Sequence, residues 1–354
     1  MNVDSFLVWV YCITFNQAEF IVDTMEGFCR QKTSFPFVCT IVDDASLDGE
    51  QEVIMNFLHD YFIIEEDLDP IRNDTIDYTR FFARHRTNYN CFFDVLFLKY
   101  NHFSKNKTKL TYLRDLFKIK YRAVCEGDDY WIDSSKLQKE IDFLEKHDDC
   151  AMVYTAYSRL TQGTGEMQDI VNPKEYLIFN DNCKWAILTN EIMVGAATVV
   201  YRTALYSQIW RDYADDYYNA KMTDVQTWFH FARLSQIYYI PDITAVYRKH
   251  EGSATSINSV NRFGFLKNAL DVHYMLATRY NAPDIIKDMI LSRYGKSLLT
   301  TGIDYHLYDD CIAFVKQYMP RNRVLLMVLQ IGRGLPFVSP SLVRRFALTF
   351  LPNK

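Results

Sequence analysis

Phe37-Val38-Cys39-Thr40-Ile41-Val42-Asp43-Asp44-Ala45-Ser46 is an apolar run stopped by two adjacent carboxylates and a small polar turn. Six apolar or β-branched residues with no polar alternation read as a strand buried on both faces, as in a parallel sheet covered by helices. The flanking sequence repeats the unit. Upstream, Phe6–Ile13 is another apolar run, ending in Thr14-Phe15-Asn16-Gln17, and Ile21, Met25 and Phe28 then recur at helical spacing. Downstream, Glu50–His59 reads as a second helix. Tyr121–Cys125 is a third strand, ending in Glu126-Gly127-Asp128-Asp129-Tyr130-Trp131, and Ser134 is the expected cap of a helix carrying Leu137, Ile141 and Leu144 on one face. Strands and helices in alternation predict an α/β fold with a mostly parallel sheet. In such sheets ligands bind at the carboxyl ends of the strands, where the polar turns gather.

The rest of the chain is less regular. Pro70, Arg72 and Asn73 mark a loop, and the aromatic-rich Phe81–Tyr100 reads as helical. Cys150–Tyr157 is a strand followed by a turn at Thr161–Gly165, and Ile192–Tyr201 a strand interrupted by Gly195. A helix begins near Thr223-Asp224. Ile237–Ile240 and Ala245–Tyr247 are two short strands, and the sequence beyond residue 256 is helical.

A length of 354 residues accommodates one large α/β domain with an appendage, or two domains. The net charge of −5 and the absence of a basic stripe argue against nucleic acid as a partner. Eight cysteines are scattered without a C-x-x-C pair, several inside apolar runs, which suits buried thiols in a reducing, cytoplasmic setting. No basic segment precedes Phe6–Ile13, and no apolar stretch approaches the ~18 residues a membrane span needs. The expectation is a soluble or peripheral protein.

Four sets of residues carry candidate chemistry. Glu126, Asp128 and Asp129 crowd three carboxylates at a strand end, which suits a hard divalent cation such as Mg²⁺ or Mn²⁺ as well as it suits an acidic turn capping the next helix. Asp43 and Asp44 fit acceptors for a ribose or a base N–H, or an Asx turn. Asp224, where a helix begins, fits either a general base or an N-cap. His250, in Lys249-His250-Glu251-Gly252-Ser253, fits a metal or phosphate contact, or an exposed loop histidine.

Taken in order, these segments resemble the family 2 glycosyltransferases of the GT-A fold, particularly bacterial enzymes of capsule, exopolysaccharide and lipopolysaccharide assembly. The resemblance covers roughly residues 6–255, apart from a stretch near 61–105. Cys12-Ile13-Thr14-Phe15-Asn16 resembles the first strand and its turn, and Gln31-Lys32-Thr33 with Phe35-Pro36-Phe37 the lead into the second. Val42-Asp43-Asp44-Ala45-Ser46-Leu47-Asp48-Gly49 is similar to the nucleotide turn. Glu126-Gly127-Asp128-Asp129 is similar to the D-x-D segment, with Glu126 where the family has Asp. Thr223-Asp224 with Trp228 resembles the acceptor-side helix, and Tyr247-Arg248-Lys249-His250-Glu251-Gly252-Ser253 the C-terminal histidine turn.

The resemblance implies a GT-A catalytic domain over 1–255, with a nucleotide-binding part (about 1–130) and an acceptor part (about 131–255). A helical region over 256–354 follows it. It implies that Thr14, Phe15, Asn16, Asp43, Asp44 and Asp128 hold a nucleotide-sugar donor, with Arg114 as a further phosphate contact. It implies that Glu126, Asp128, Asp129 and His250 hold Mn²⁺ or Mg²⁺, and that Asp224 deprotonates a glycan or lipid-linked acceptor for an inverting displacement. Uridine is the favoured nucleoside.

Two other functions compete. A sugar nucleotidyltransferase would want a glycine-rich basic loop after the first strand, and Thr14–Glu19 has neither glycine nor a basic residue. A non-catalytic nucleotide-sugar-binding module would keep the donor residues without turnover. The segment 321–354 has arginines interleaved with apolar residues and no acid, which suits contact with an anionic membrane, here the inner face of the plasma membrane.

Overall fold

A computed structural model describes residues 3–64, 74–173, 183–217, 223–253, 259–335 and 338–352. The predicted loop at Pro70–Asn73 and the boundary at 255/256 lie outside them. The chain divides into two compact units. One comprises residues 1–181, 193–213 and 230–249, and the other 182–192, 214–229 and 250–354.

The first unit is built on one mixed sheet. β1 (Val8–Thr14), β2 (Phe37–Asp43), β5 (Cys91–Leu98) and β6 (Tyr121–Val124) are its parallel centre, with β1 between β2 and β6, and β5 beyond β2. β8 (Cys150–Thr161) and β11 (Gln236–Lys249) form a second parallel pair. Antiparallel members complete it: β3 (Phe62–Ile64) and β4 (Tyr78–His85) on one side, β10 (Val200–Arg202) between β6 and β8, β7 (Tyr130–Trp131) on β11, and β9 (Glu166–Ile170) on β8.

Both faces of the central strands are buried, as the uninterrupted apolar runs require. Val8, Val10 and Cys12 pack with Ile21, Met25 and Phe28 of α1 (Ile21–Cys29), Ile54 of α2 (Glu50–Tyr61) and Leu137 of α3 (Lys136–Lys146). Trp9 and Tyr11 face the other way, onto Val38, Leu96, Leu113 and Leu116. Gly27 lets α1 approach closely: a Cβ there would stand 2.9 Å from the Trp131 backbone.

Several local expectations are corrected. Phe81–Tyr100 is not helical but contributes the antiparallel strands β4 and β5. β5 is buried on both faces, so its aromatic run shows no alternation, and the turn at Arg86–Asn90 was the legible signal. Of the predicted Ile192–Tyr201 strand only Val200 and Tyr201 belong to a strand, β10. The Met193 backbone N–H and carbonyl bond instead to the Asn172 side chain, at 2.8 and 2.9 Å. The two predicted strands at 237–247 are one strand, irregular around Pro241, which has no N–H for the ladder. The cap of α3 is Ser135 rather than Ser134.

The second unit is helical. α4 (Cys183–Leu188), α7 (Ser259–Arg279), α8 (Asp284–Asp304), α9 (Tyr308–Tyr318), α10 (Arg323–Gly334) and α11 (Pro340–Thr349) enclose Leu188, Leu270, Ile290, Leu298, Phe314 and Leu325. α5 (Thr203–Asp212) belongs to the first unit, and α6 (Asp224–Leu234) begins in the second. Inside the helical core His273 donates from Nδ1 to the Leu188 carbonyl at 2.7 Å and accepts at Nε2 from the Tyr294 hydroxyl at 2.9 Å. No described helix is long and apolar enough to cross a membrane.

Candidate active site

Three of the predicted motifs meet at the carboxyl ends of the central strands of the first unit. Thr14 and Asp43 are direct partners where β1 and β2 end. Beyond β6 the chain keeps following β1, since the Gly127 N–H donates to the Ile13 carbonyl at 3.0 Å. A Cβ on Gly127 would lie 2.6 Å from both Thr14 Cβ and Gln17 Oε1, and closer still to the Thr14 hydroxyl. Glycine at 127 is therefore what lets the acidic turn lie against the Thr14 turn.

A buried carboxylate that the sequence reading missed ties two of these turns together. Glu50 accepts from the Gln17 N–H at 3.0 Å and the Ser46 hydroxyl at 2.8 Å, and is paired with the Thr14 hydroxyl. Asn16 has a positive φ, its N–H donates to Ser46 Oγ at 2.9 Å, and its Oδ1 accepts from the Leu47 N–H at 2.9 Å. Phe15, between them, is 43% exposed, which leaves its ring free to cover a ligand. The signal for Glu50 was its place in the first turn of the helix after the Asp-Asp motif.

The two adjacent aspartates have different surroundings. Asp43 is fully buried, and its Oδ1 accepts from the Ser46 N–H at 3.2 Å and Gln51 Nε2 at 2.5 Å. Its Oδ2 is buried with no hydrogen-bond partner among the described residues. Burial pushes this carboxyl above its usual range, against the bonds from Ser46 and Gln51. Asp44 is committed to the following segment. Its oxygens accept from the His102 and Phe103 N–H groups at 2.7 and 3.1 Å and pair with Lys109 Nζ at 2.9 Å. His102 and Phe103 lie in the 61–105 stretch outside the family resemblance, and Lys109 follows it. Arg114 is exposed, five residues after Lys109.

The acidic turn is fixed from α1, where the Thr24 hydroxyl lies 2.9 Å from the Gly127 carbonyl and 2.6 Å from that of Asp129. Asp129 accepts from the Arg248 N–H at 2.9 Å, and Arg248 in turn pairs with Asp23 at 2.6 Å and lies over the Phe20 and Tyr130 rings. Burial first, then the neighbouring Asp128 and Glu126, push the Asp129 carboxyl well above its usual range. Glu126 is exposed and Asp128 is 8% exposed.

Among the described residues no three His, Cys, Asp or Glu side chains form a self-sufficient metal cage. The donor set still fits a hard divalent ion. Two carboxylates, Asp128 and Glu126, flank the turn beside the buried Asp129, and such ions commonly take one or two carboxylates and complete their shell with phosphate oxygens and water.

Asp224 and His250 fall in the other unit. Asp224 opens α6 with its side chain exposed, yet surrounding protein raises its carboxyl above the usual range. His250 is half-buried and accepts at Nδ1 from the Gly252 N–H at 3.2 Å, while its backbone N–H donates to the Ser253 hydroxyl at 2.9 Å.

No protein-family model matches the chain. Over 243 residues it is 26% identical to an uncharacterised protein of Mycobacterium bovis, covering 68% of this chain and 58% of that one. An uncharacterised protein of M. tuberculosis matches equally. The chain thus spans little more than half the length of these relatives. Among solved structures, S. aureus TarS 1–349 in complex with UDP-GlcNAc superposes with a TM-score of 0.53 at 16% identity, over 97% of this chain and 90% of that one. The same protein in complex with UDP gives 0.50 at 14% identity, over 98% and 89%. The architecture, a mixed sheet with a parallel centre, flanking helices and a helical C-terminal region, is the GT-A-like glycosyltransferase fold.

Proposed function

We propose that this protein is a glycosyltransferase that takes a sugar from a nucleotide-sugar donor, with a uridine diphosphate sugar as the favoured donor and a glycan or lipid-linked saccharide as acceptor in surface polysaccharide synthesis. The observation that carries the reading is the Asp43 Oδ2: a buried carboxylate oxygen without a hydrogen-bond partner among the described residues, at the carboxyl edge of a parallel sheet where the neighbouring strand runs into the exposed Phe15. Leaving such an oxygen unsatisfied costs about 1–3 kcal/mol, and a base N–H removes that cost. The likeness to a fold solved with UDP-GlcNAc supports the same reading.

In this scheme Asp43 receives the base and the Phe15 ring covers it, while Thr14 and Asn16 shape the turn. Asp44 positions the 101–109 segment at the donor's edge through His102, Phe103 and Lys109. A divalent cation held by Asp128 and Glu126 would supply charge neutralisation on the diphosphate leaving group. Arg248 holds Asp129 in place behind them. Asp224, whose carboxyl is raised toward the range of a working base, accepts the proton of the acceptor hydroxyl during a single in-line displacement that inverts the anomeric carbon. His250 and Arg114 are assigned to the diphosphate side.

The test is release of nucleoside diphosphate from UDP-, GDP- and dTDP-sugars with Mn²⁺ or Mg²⁺ present. Release from one donor, lost with chelator and in Asp128→Ala, is the expected result. No binding and no cleavage of any donor refutes the reading.

A further inference from the structure

The surface of α10 and α11 carries apolar side chains that the helical core does not use. On α10, Leu325, Leu329 and Gly332 are buried, while Val324, Met327, Ile331 and the adjoining Leu335 are exposed. Spacings of three and four residues place these four along one stripe, on the side away from the core. α11 repeats the pattern, with Val343 and Ala347 buried and Leu342, Phe346 and Phe350 exposed.

The two helices run antiparallel. Asn322, at the start of α10, donates to the Phe350 carbonyl just past α11 at 2.6 Å. Gly332, near the end of α10, meets Val343 near the start of α11, where a Cβ would come within 2.9 Å of the Val343 side chain. Both exposed sets therefore span the same length of one helical hairpin. At its Asn322–Phe350 end lies a cleft of about 510 Å³ lined by Tyr318, Arg321 and Phe350, among others.

Charge selects the occupant. Residues 321–352 include five arginines and no acid. Arg333 and Arg344 are paired with Asp309 and Asp304, at 2.9 and 2.7 Å, so those acids present no net negative charge to the surface. Arg321, Arg323 and Arg345 are exposed at its margin. Exposed apolar side chains in a segment whose charged residues over 321–352 are all arginines match the interface of an anionic bilayer, where the apolar groups enter the acyl boundary and guanidiniums reach the headgroups. Twelve and ten residues are too few to cross a bilayer, so such helices lie along its surface.

We infer that the α10–α11 hairpin is a docking surface for an anionic lipid bilayer. This inference stands without the sugar-transfer reading, because lipid binding is measured without any substrate.

The test is cosedimentation of the full chain with phosphatidylcholine vesicles containing about 30% phosphatidylglycerol, against pure phosphatidylcholine, in ~0.1 M salt. Partitioning onto the anionic vesicles should be roughly tenfold or more the stronger and should fall as salt rises. Met327→Ser with Ile331→Ser, and separately Arg321→Gln with Arg323→Gln and Arg345→Gln, should each weaken it by about tenfold. All five side chains are exposed, so thermal unfolding reports that the fold is kept. Equal partitioning onto both vesicle types, or folded variants that bind like the parent, overturns the inference. So does lipid-free sedimentation velocity in which the parent self-associates and Met327→Ser with Ile331→Ser is monomeric, because the face is then occupied by a second copy of the chain.

Discussion

Asp43→Asn exchanges one oxygen for an amide and leaves the turn around it intact. Two donors, the Ser46 N–H at 3.2 Å and Gln51 Nε2 at 2.5 Å, already point at Oδ1. They require an acceptor there, so the asparagine oxygen takes that position and its NH₂ takes the place of Oδ2. A base N–H arriving at Oδ2 then meets a donor instead of an anion. A hydrogen bond to a charged acceptor contributes about 1.5–3 kcal/mol, so nucleotide affinity should fall by roughly 10- to 150-fold. The fold loses no bond in the exchange, and the unfolding midpoint should stay within about a few degrees of the parent. The assay is calorimetric titration of UDP into both proteins with Mg²⁺ present, beside thermal melting of each. A folded Asn variant that binds UDP as tightly as the parent refutes the assignment of Oδ2 to the base.

Gly127→Ala should destabilise the protein by about 1–3 kcal/mol in urea unfolding and weaken donor binding, because its methyl meets Thr14 and Gln17 at 2.6 Å. Glu50→Ala should cost about 2–4 kcal/mol, since it strips the acceptor from the Gln17 N–H and the Ser46 hydroxyl in a buried site; an unchanged denaturation midpoint would contradict this. Stability should also fall on acidification through His273, which burial holds at a pKa of about 4, against about 6.5 when unfolded. The neutral ring is favoured in the fold, so the unfolded chain binds the extra proton. The contribution is complete above pH ~6.5 and disappears toward pH ~4, up to about 3 kcal/mol in all. His273→Gln should flatten that part of a stability–pH profile.

Much of the first unit was legible because buried parallel strands announce themselves. Phe37–Asp43 and Val8–Thr14 are apolar without interruption, and the polar turns closing them had to share one edge once the strands were parallel. That logic brought Thr14, Asp43 and the Glu126–Asp129 turn together before any coordinates. It failed at Phe81–Tyr100, where burial on both faces removed the alternation that separates a strand from a helix. It failed again at Ile192–Tyr201, because the backbone partner there is the side chain of Asn172, some twenty residues earlier.

The sequence by itself determined residue types and local periods: an α/β sheet, polar turns at its carboxyl edge, and a basic helical C-terminal region. Only the tertiary structure decided which atoms in those turns are already satisfied. Asp43 and Asp44 are neighbours of identical chemistry, yet one keeps a buried oxygen without a partner among the described residues while the other is consumed by His102, Phe103 and Lys109. Periodicity places a residue on a face and at an edge. Whether its side chain is spent on the fold or left for a ligand depends on groups about sixty residues away, which only folding brings within hydrogen-bond distance.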